Sequence, residues 1–218
     1  MFRLKNAFAI SLILSVLPLI LHCTTQSQPD NYTATLVVGG VEMHMARLKD
    51  NTRIENPILK GVVVLSYGNK KKTITMNTSK KKYFEEPTKE QPPTIYDRDV
   101  TIEKKAQGDE QINGHPCKVY DVTYYRKDKP NETYRAKVWE AFDLNGLAVK
   151  IEQASPDGSG VLVTTELKNV ELNNAKPNMF EVPGDYVKAQ DIDEVMGMPV
   201  IQDVKKGLKK LMDKLKDN

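Results

Sequence analysis

Short runs in which apolar and polar side chains alternate occur along most of this chain. In residues 41–48, for example, the apolar side chains at positions 41, 43 and 45 are separated by Glu42 and His44. Comparable runs occupy residues 32–38, 100–106, 117–125, 134–142 and 161–167. A period of two is typical of a strand with one buried face, and turn pairs such as Asn113-Gly114 between the runs are typical of hairpins. The pattern predicts a mainly β protein of the α+β class, built on a meandering antiparallel sheet.

Length and charge narrow the partners that such a chain would have. A chain of 218 residues fits a single domain once terminal segments are removed. The formal net charge is +3, and it falls to +1 without residues 1–22, which hold Arg3 and Lys5 but no acidic residue. A nearly neutral domain is not expected to bind nucleic acid.

The N-terminus has the layout of a bacterial secretion signal. Arg3 and Lys5 precede an uncharged apolar stretch at residues 7–21. A helix that spans a bilayer needs about 20 apolar residues, and this stretch is shorter and contains Pro18. We therefore interpret residues 1–22 as a cleavable signal peptide.

Cys23 directly follows this stretch, where the chain resembles bacterial lipoprotein precursors. Their cysteine receives diacylglycerol, and residues 19–21 suit the motif, whereas His22 departs from the small residue usually found there. Residues 23–31 would form a polar tether, and Thr24 would direct the protein to the periplasmic side of the outer membrane. The alternative is cleavage after Ser27, giving a soluble periplasmic or secreted protein. If Cys23 is lipidated, the other cysteine, Cys117, is left as a lone thiol and is expected to be buried.

The last segment, residues 191–218, changes period. Apolar residues recur at intervals of three and four residues, which predicts an amphipathic helix. These residues are Val204, Leu208, Leu211 and Leu215. Its polar side is rich in lysine. The helix could pack on the domain, or it could lie on an anionic membrane surface.

The sequence contains no linear catalytic or metal-binding motif. His44 and His115 have no second histidine or cysteine at metal-ligand spacing, so we expect no metal, no cofactor and no catalytic residue. An enzyme would require Glu140 or Asp121 to meet a second titratable group in a pocket. Otherwise Glu140 is expected at a rim or paired with a lysine.

Three short motifs resemble a bacterial envelope family of unknown function that is related to lipoprotein-carrier (LolA/LolB-like) proteins. They are Gly114-x-x-Cys117-x-x-Tyr120-x-Val122, the pair Val138-Trp139 with its hairpin to Val149, and Phe180-x-x-Pro183-Gly184-x-Tyr186. The resemblance covers most of residues 32–190 and includes no catalytic residue.

This resemblance implies a LolA-like fold, a curved antiparallel sheet or half-barrel around one or two helices with an apolar concave face. It implies non-catalytic binding of a lipid, an acyl chain or a lipidated partner. The residues expected near that cavity are Met43, Met45, Met76, Val138, Phe142, Val149 and Val163. The alternative is an anchored structural or interaction protein of the envelope that binds no ligand.

Overall fold

The computed structural model describes residues 28–88, 92–97, 99–155 and 160–197. The predicted signal peptide, Cys23 and the predicted helix at 204–215 lie outside these residues. Within the described ranges, no helix combines the length and apolar character needed to cross a membrane.

Twelve strands form one sheet. Their bounds are β1 Asn31–Val38, β2 Val41–Leu48, β3 Asn51–Asn56, β4 Val62–Tyr67, β5 Lys72–Asn77, β6 Lys82–Pro87, β7 Val100–Ile112, β8 His115–Arg126, β9 Tyr134–Ala141, β10 Leu147–Ala154, β11 Leu162–Leu172 and β12 Val187–Lys188. One α-helix, α1 (Ile192–Met196), and three short 3-10 turns complete the described elements.

The strand order is β12-β6-β5-β4-β3-β2-β1-β11-β10-β9-β8-β7. All neighbouring strands are antiparallel except β12 and β6, which are parallel. Two hairpin meanders, β1–β6 and β7–β11, therefore join through β1 and β11. A sheet of this width accumulates twist, and the result is an open, curved sheet.

The hairpin turns follow from residues that accept a left-handed backbone. Asn113 and Gly114 have φ values of 51° and 88° and form the two-residue loop between β7 and β8. Two consecutive positive φ angles characterise the turn that matches strand twist, which explains why Asn-Gly stands there. The predicted hairpin is confirmed.

Several elements differ from the sequence-based expectation. Of the one or two helices expected against the sheet, the described residues contain one, the five-residue α1. Loops that contain prolines, at 92–97 and 174–186, cover the sheet instead, because proline blocks helix continuation. Phe142 leaves strand β9 and enters a 3-10 turn, so it does not share the face of Val138.

Buried side chains form three clusters. A central cluster surrounds Trp139 and Leu147. A second lies on β2–β5 and includes Leu65 and Phe180, and a third lies on β8–β10 and includes Val138. The Tyr67 hydroxyl donates to the carbonyl of Phe180 and ties the 174–186 loop to the second cluster.

Candidate functional site

The strand register assigns each side chain to one of two faces of the sheet, because residues opposite each other in a ladder share a face. Val138 is opposite Ile151, which is opposite Thr165, and Thr165 is opposite Val38. Val38 is in turn opposite Val41, on the same side of β2 as Met43 and Met45. We call this side the methionine face.

A row of mostly apolar side chains crosses the methionine face from β1 to β6. Met45 is opposite Ile54, and Ile54 is opposite Val64. Thr75 lies between Val64 and Phe84 and is opposite each of them on the neighbouring strands. Four further apolar residues, Leu36, Val38, Val41 and Met43, extend it along β1 and β2.

Every side chain of this set is half-buried in the described structure. We call the set the open apolar patch; its members are Leu36, Val38, Val41, Met43, Met45, Ile54, Val64 and Phe84. Leu36 and Met45 also pack against the central cluster. Contiguous apolar side chains that stay partly accessible make this set the candidate binding surface.

The 92–97 loop covers one end of the methionine face. Ile95 and Tyr96 pack against the cluster around Val138. The Tyr96 hydroxyl donates to the carbonyl of Ala148 at 3.1 Å, and the Arg47 guanidinium lies 5.4 Å from the ring centroid. Burial raises the pKa of the Tyr96 hydroxyl well above its ordinary range. The residue as a whole is half-buried. The loop therefore closes the face beside β8–β10 and ends where the open apolar patch begins.

Helix α1 covers another corner of the same face. Asn77 lies on the methionine face, opposite Val62 and Lys82, and is 5% exposed. Its side-chain nitrogen donates to the carbonyl of Val195 at 3.1 Å, and Lys82 pairs with Glu194 at 3.1 Å. These contacts place α1 over the ends of β4–β6.

The opposite face carries a cleft of different character. Its volume is about 510 Å³. Its lining includes the polar residues Thr33, His44, Arg53, Glu171 and Asn174 and the apolar residues Ala34, Met45, Ala46 and Met179. Arg53 is already engaged, since it pairs with Glu55 at 2.8 Å and donates to the carbonyl of Met179 at 3.3 Å. The lining is therefore of mixed character, and Met45 of the open apolar patch is part of it.

The structure brings together only part of the predicted cavity. Met43, Met45 and Val163 are half-buried on the methionine face. Val138 shares that face but is 1% exposed under the 92–97 loop, and Val149 is fully buried in the central cluster.

Two predicted cavity residues lie elsewhere. Met76 is opposite Val63 and packs in the second cluster, on the reverse side of the sheet. Phe142 is 59% exposed in its 3-10 turn. Cys23, the predicted lipid attachment residue, is outside the described residues.

The two carboxylates considered for catalysis are both engaged. Glu140 forms an ion pair with Lys104 and accepts a hydrogen bond from Gln28, and its side chain is 12% exposed. Asp121 accepts from the side chain of Gln107 at 2.6 Å. Neither lines the cleft on the opposite face. Glu140 thus has the lysine partner expected for a structural carboxylate.

Sequence reasoning missed six members of the open apolar patch: Leu36, Val38, Val41, Ile54, Val64 and Phe84. The alternation in residues 32–38 signalled the first two, whereas Val64 was hidden in the continuous apolar run of residues 61–67. Ile54 stands alone among polar residues in β3, so no local pattern marked that strand.

No family model and no curated protein matches this chain. Among solved structures, MucB is similar, with 13% identity and a TM-score of 0.44 over 75% of this chain and 62% of that chain. This chain thus spans about three fifths of that MucB structure.

Two further solved structures are similar in fold. One is a putative outer membrane lipoprotein-sorting protein domain from Vibrio parahaemolyticus, with 12% identity and a TM-score of 0.37 over 69% of this chain and 89% of that chain. The other is a LolA superfamily protein from Nitrosomonas europaea, with 10% identity and a TM-score of 0.32 over 69% of this chain and 88% of that chain.

Proposed function

We propose that this chain is an exported envelope protein that binds an acyl chain, of a lipid or of a lipidated protein, on its open apolar patch. The observation that carries the proposal is the set of eight half-buried apolar side chains on one face of β1, β2, β3, β4 and β6. Each methylene removed from water contributes about 0.8 kcal/mol, so one acyl chain would supply useful affinity.

The composition of the patch favours a flexible apolar ligand. Met43 and Met45 lie two residues apart on β2 and have unbranched, polarizable side chains that adapt to different ligand shapes. Leu36 is directly opposite Met43, and Ile54 is directly opposite Met45. The ligand would lie across strands, between the 92–97 loop and α1.

Native mass spectrometry of the protein purified from its own envelope tests this proposal. We expect a population that carries an added mass of a lipid, which organic extraction removes and added fatty acid restores. A ligand-free mass with no uptake of fatty acid would contradict the proposal and would favour the structural protein that binds no ligand.

The proposed export and anchoring rest on the sequence of residues 1–23. With Cys23 lipidated, the protein would partition with membranes, and a Cys23→Ala variant is expected in the soluble envelope fraction. Thr24→Ala is the matched control and should stay membrane-bound. If the Cys23→Ala variant also stayed with the membrane, the anchor would have to lie elsewhere in the chain.

A further inference from the structure

The row of apolar side chains on β2 ends in a cation. Val41, Met43, Met45 and Arg47 occupy every second position of the strand, so all four side chains lie on the methionine face. Arg47 follows Met45 at about 7 Å along the strand, and it is half-buried. A guanidinium group therefore borders the open apolar patch, at the end that the 92–97 loop covers.

The contacts of this guanidinium leave most of its hydrogen-bonding capacity unused. It lies 5.4 Å from the ring centroid of Tyr96, and one of its nitrogens is 3.5 Å from the Tyr96 carbonyl oxygen. The second distance is long for a hydrogen bond, and a guanidinium has five N–H donors. Within the part of the chain that the structure describes, no ion pair includes Arg47.

Two carboxylates of the same region have other partners. Asp97, the residue after Tyr96, accepts from the amide and the hydroxyl of Thr94 at 2.9 and 3.0 Å. Glu140, whose charge acts on the Tyr96 hydroxyl, forms its ion pair with Lys104. Neither carboxylate therefore neutralises the guanidinium that borders the patch.

Arg53 provides an internal comparison, because it lies on the adjacent strand β3 and on the opposite face. It pairs with Glu55 at 2.8 Å and donates to the carbonyl of Met179 at 3.3 Å. A charge that is partly removed from water is stabilised by an opposite charge, and a guanidinium suits the paired oxygens of a carboxylate or a phosphate. Among the described residues, Arg53 has such a partner and Arg47 does not.

We propose that Arg47 binds the anionic head group of the ligand, a carboxylate or a phosphate, while the acyl chain lies on the open apolar patch. The row that starts at Met45 leads away from the 92–97 loop and reaches Phe84 after four strand spacings, roughly 19 Å at about 4.8 Å each. This inference rests on the proposed function and narrows the ligand to an anionic amphiphile.

Titration calorimetry of the full-length protein at neutral pH tests the head-group site with three ligands of equal chain length. They are dodecanoic acid, dodecyl phosphate and the uncharged dodecanol. We expect wild type to bind at least one of the two anions about tenfold more tightly than dodecanol, as for a hydrogen bond to a charged group. Added salt should reduce this preference and leave dodecanol binding unchanged. The stronger anion identifies the head group, and inorganic phosphate alone should not bind.

Substitutions at the two arginines assign the preference to one residue. Arg47→Gln should remove the preference for the anion and keep the dodecanol affinity within about twofold, and Arg47→Lys should retain part of the preference because it keeps the charge. Arg53→Gln, on the opposite face, is the matched control and should bind all three ligands as wild type does.

The outcomes distinguish this inference from the proposed function. If wild type binds none of the three amphiphiles, the proposed function fails. If it binds all three with equal affinity, the acyl site stands and the head-group site is refuted. Equal losses for dodecanol and the anions in Arg47→Gln would also overturn the inference, since they would make Arg47 a support of the 92–97 loop. Binding of inorganic phosphate as tight as that of dodecyl phosphate would contradict a site shared with the acyl chain.

Discussion

Replacing Met43 with aspartate is expected to weaken the binding of a fluorescent fatty acid on the order of 100-fold. Met43 is half-buried on the methionine face and directly opposite Leu36. Loss of contact with about three methylenes would cost about 2.4 kcal/mol, and the new carboxylate would have to lose water beside the ligand. Every 1.4 kcal/mol is a factor of ten in affinity. The measurement is a fluorescence titration of the full-length variant against wild type.

His44→Asp is the matched control for this variant. It introduces the same carboxylate one residue further along β2, but on the opposite face and at an exposed position. We expect its affinity to stay within about twofold of wild type. Equal losses in both variants would mean that ligand binding does not distinguish the two faces, and the assignment of the site to the open apolar patch would fail.

Replacing Tyr96 with alanine is expected to lower the free energy of unfolding by about 3–5 kcal/mol, as for other large aromatic truncations in a core. The ring packs against the cluster around Val138, under the Arg47 guanidinium, and its hydroxyl bonds to Ala148. Its loss would leave a cavity and release the 92–97 loop from the methionine face. Urea denaturation at equilibrium measures the change.

Tyr96→Phe separates packing from the hydrogen bond. It keeps the ring and removes only the donor to Ala148, so we expect a loss of about 1 kcal/mol. A cost below 1 kcal/mol for Tyr96→Ala would show that the loop contributes little to closing that end of the sheet.

Most strands of this fold were predictable from local patterns, whereas the faces on which several side chains lie were not. Alternation marked β2, and the Asn113-Gly114 pair marked the hairpin between β7 and β8, because both signals depend on neighbouring residues alone. The face of Met76 depends on the register of six successive strands, from β5 back to β11. No local rule relates it to Val163, and the pairing puts the two on opposite sides.

Irregularities in the ladders also limited the prediction of the site. A bulge between Ala148 and Lys150 resets the alternation in β10, which leaves Val149 in the central cluster. The strand at Phe142 gives way to a 3-10 turn that exposes its ring. The expectation that both residues line the cavity came from the resemblance, and neither irregularity is visible in the sequence.

The most direct test of the account is saturable binding of a fluorescent fatty acid by the wild-type protein, with competition by the unlabelled acid. We expect one saturable class of sites, with competition removing the signal. Fluorescence that rises linearly with added probe and resists competition would contradict an acyl-binding surface on the methionine face.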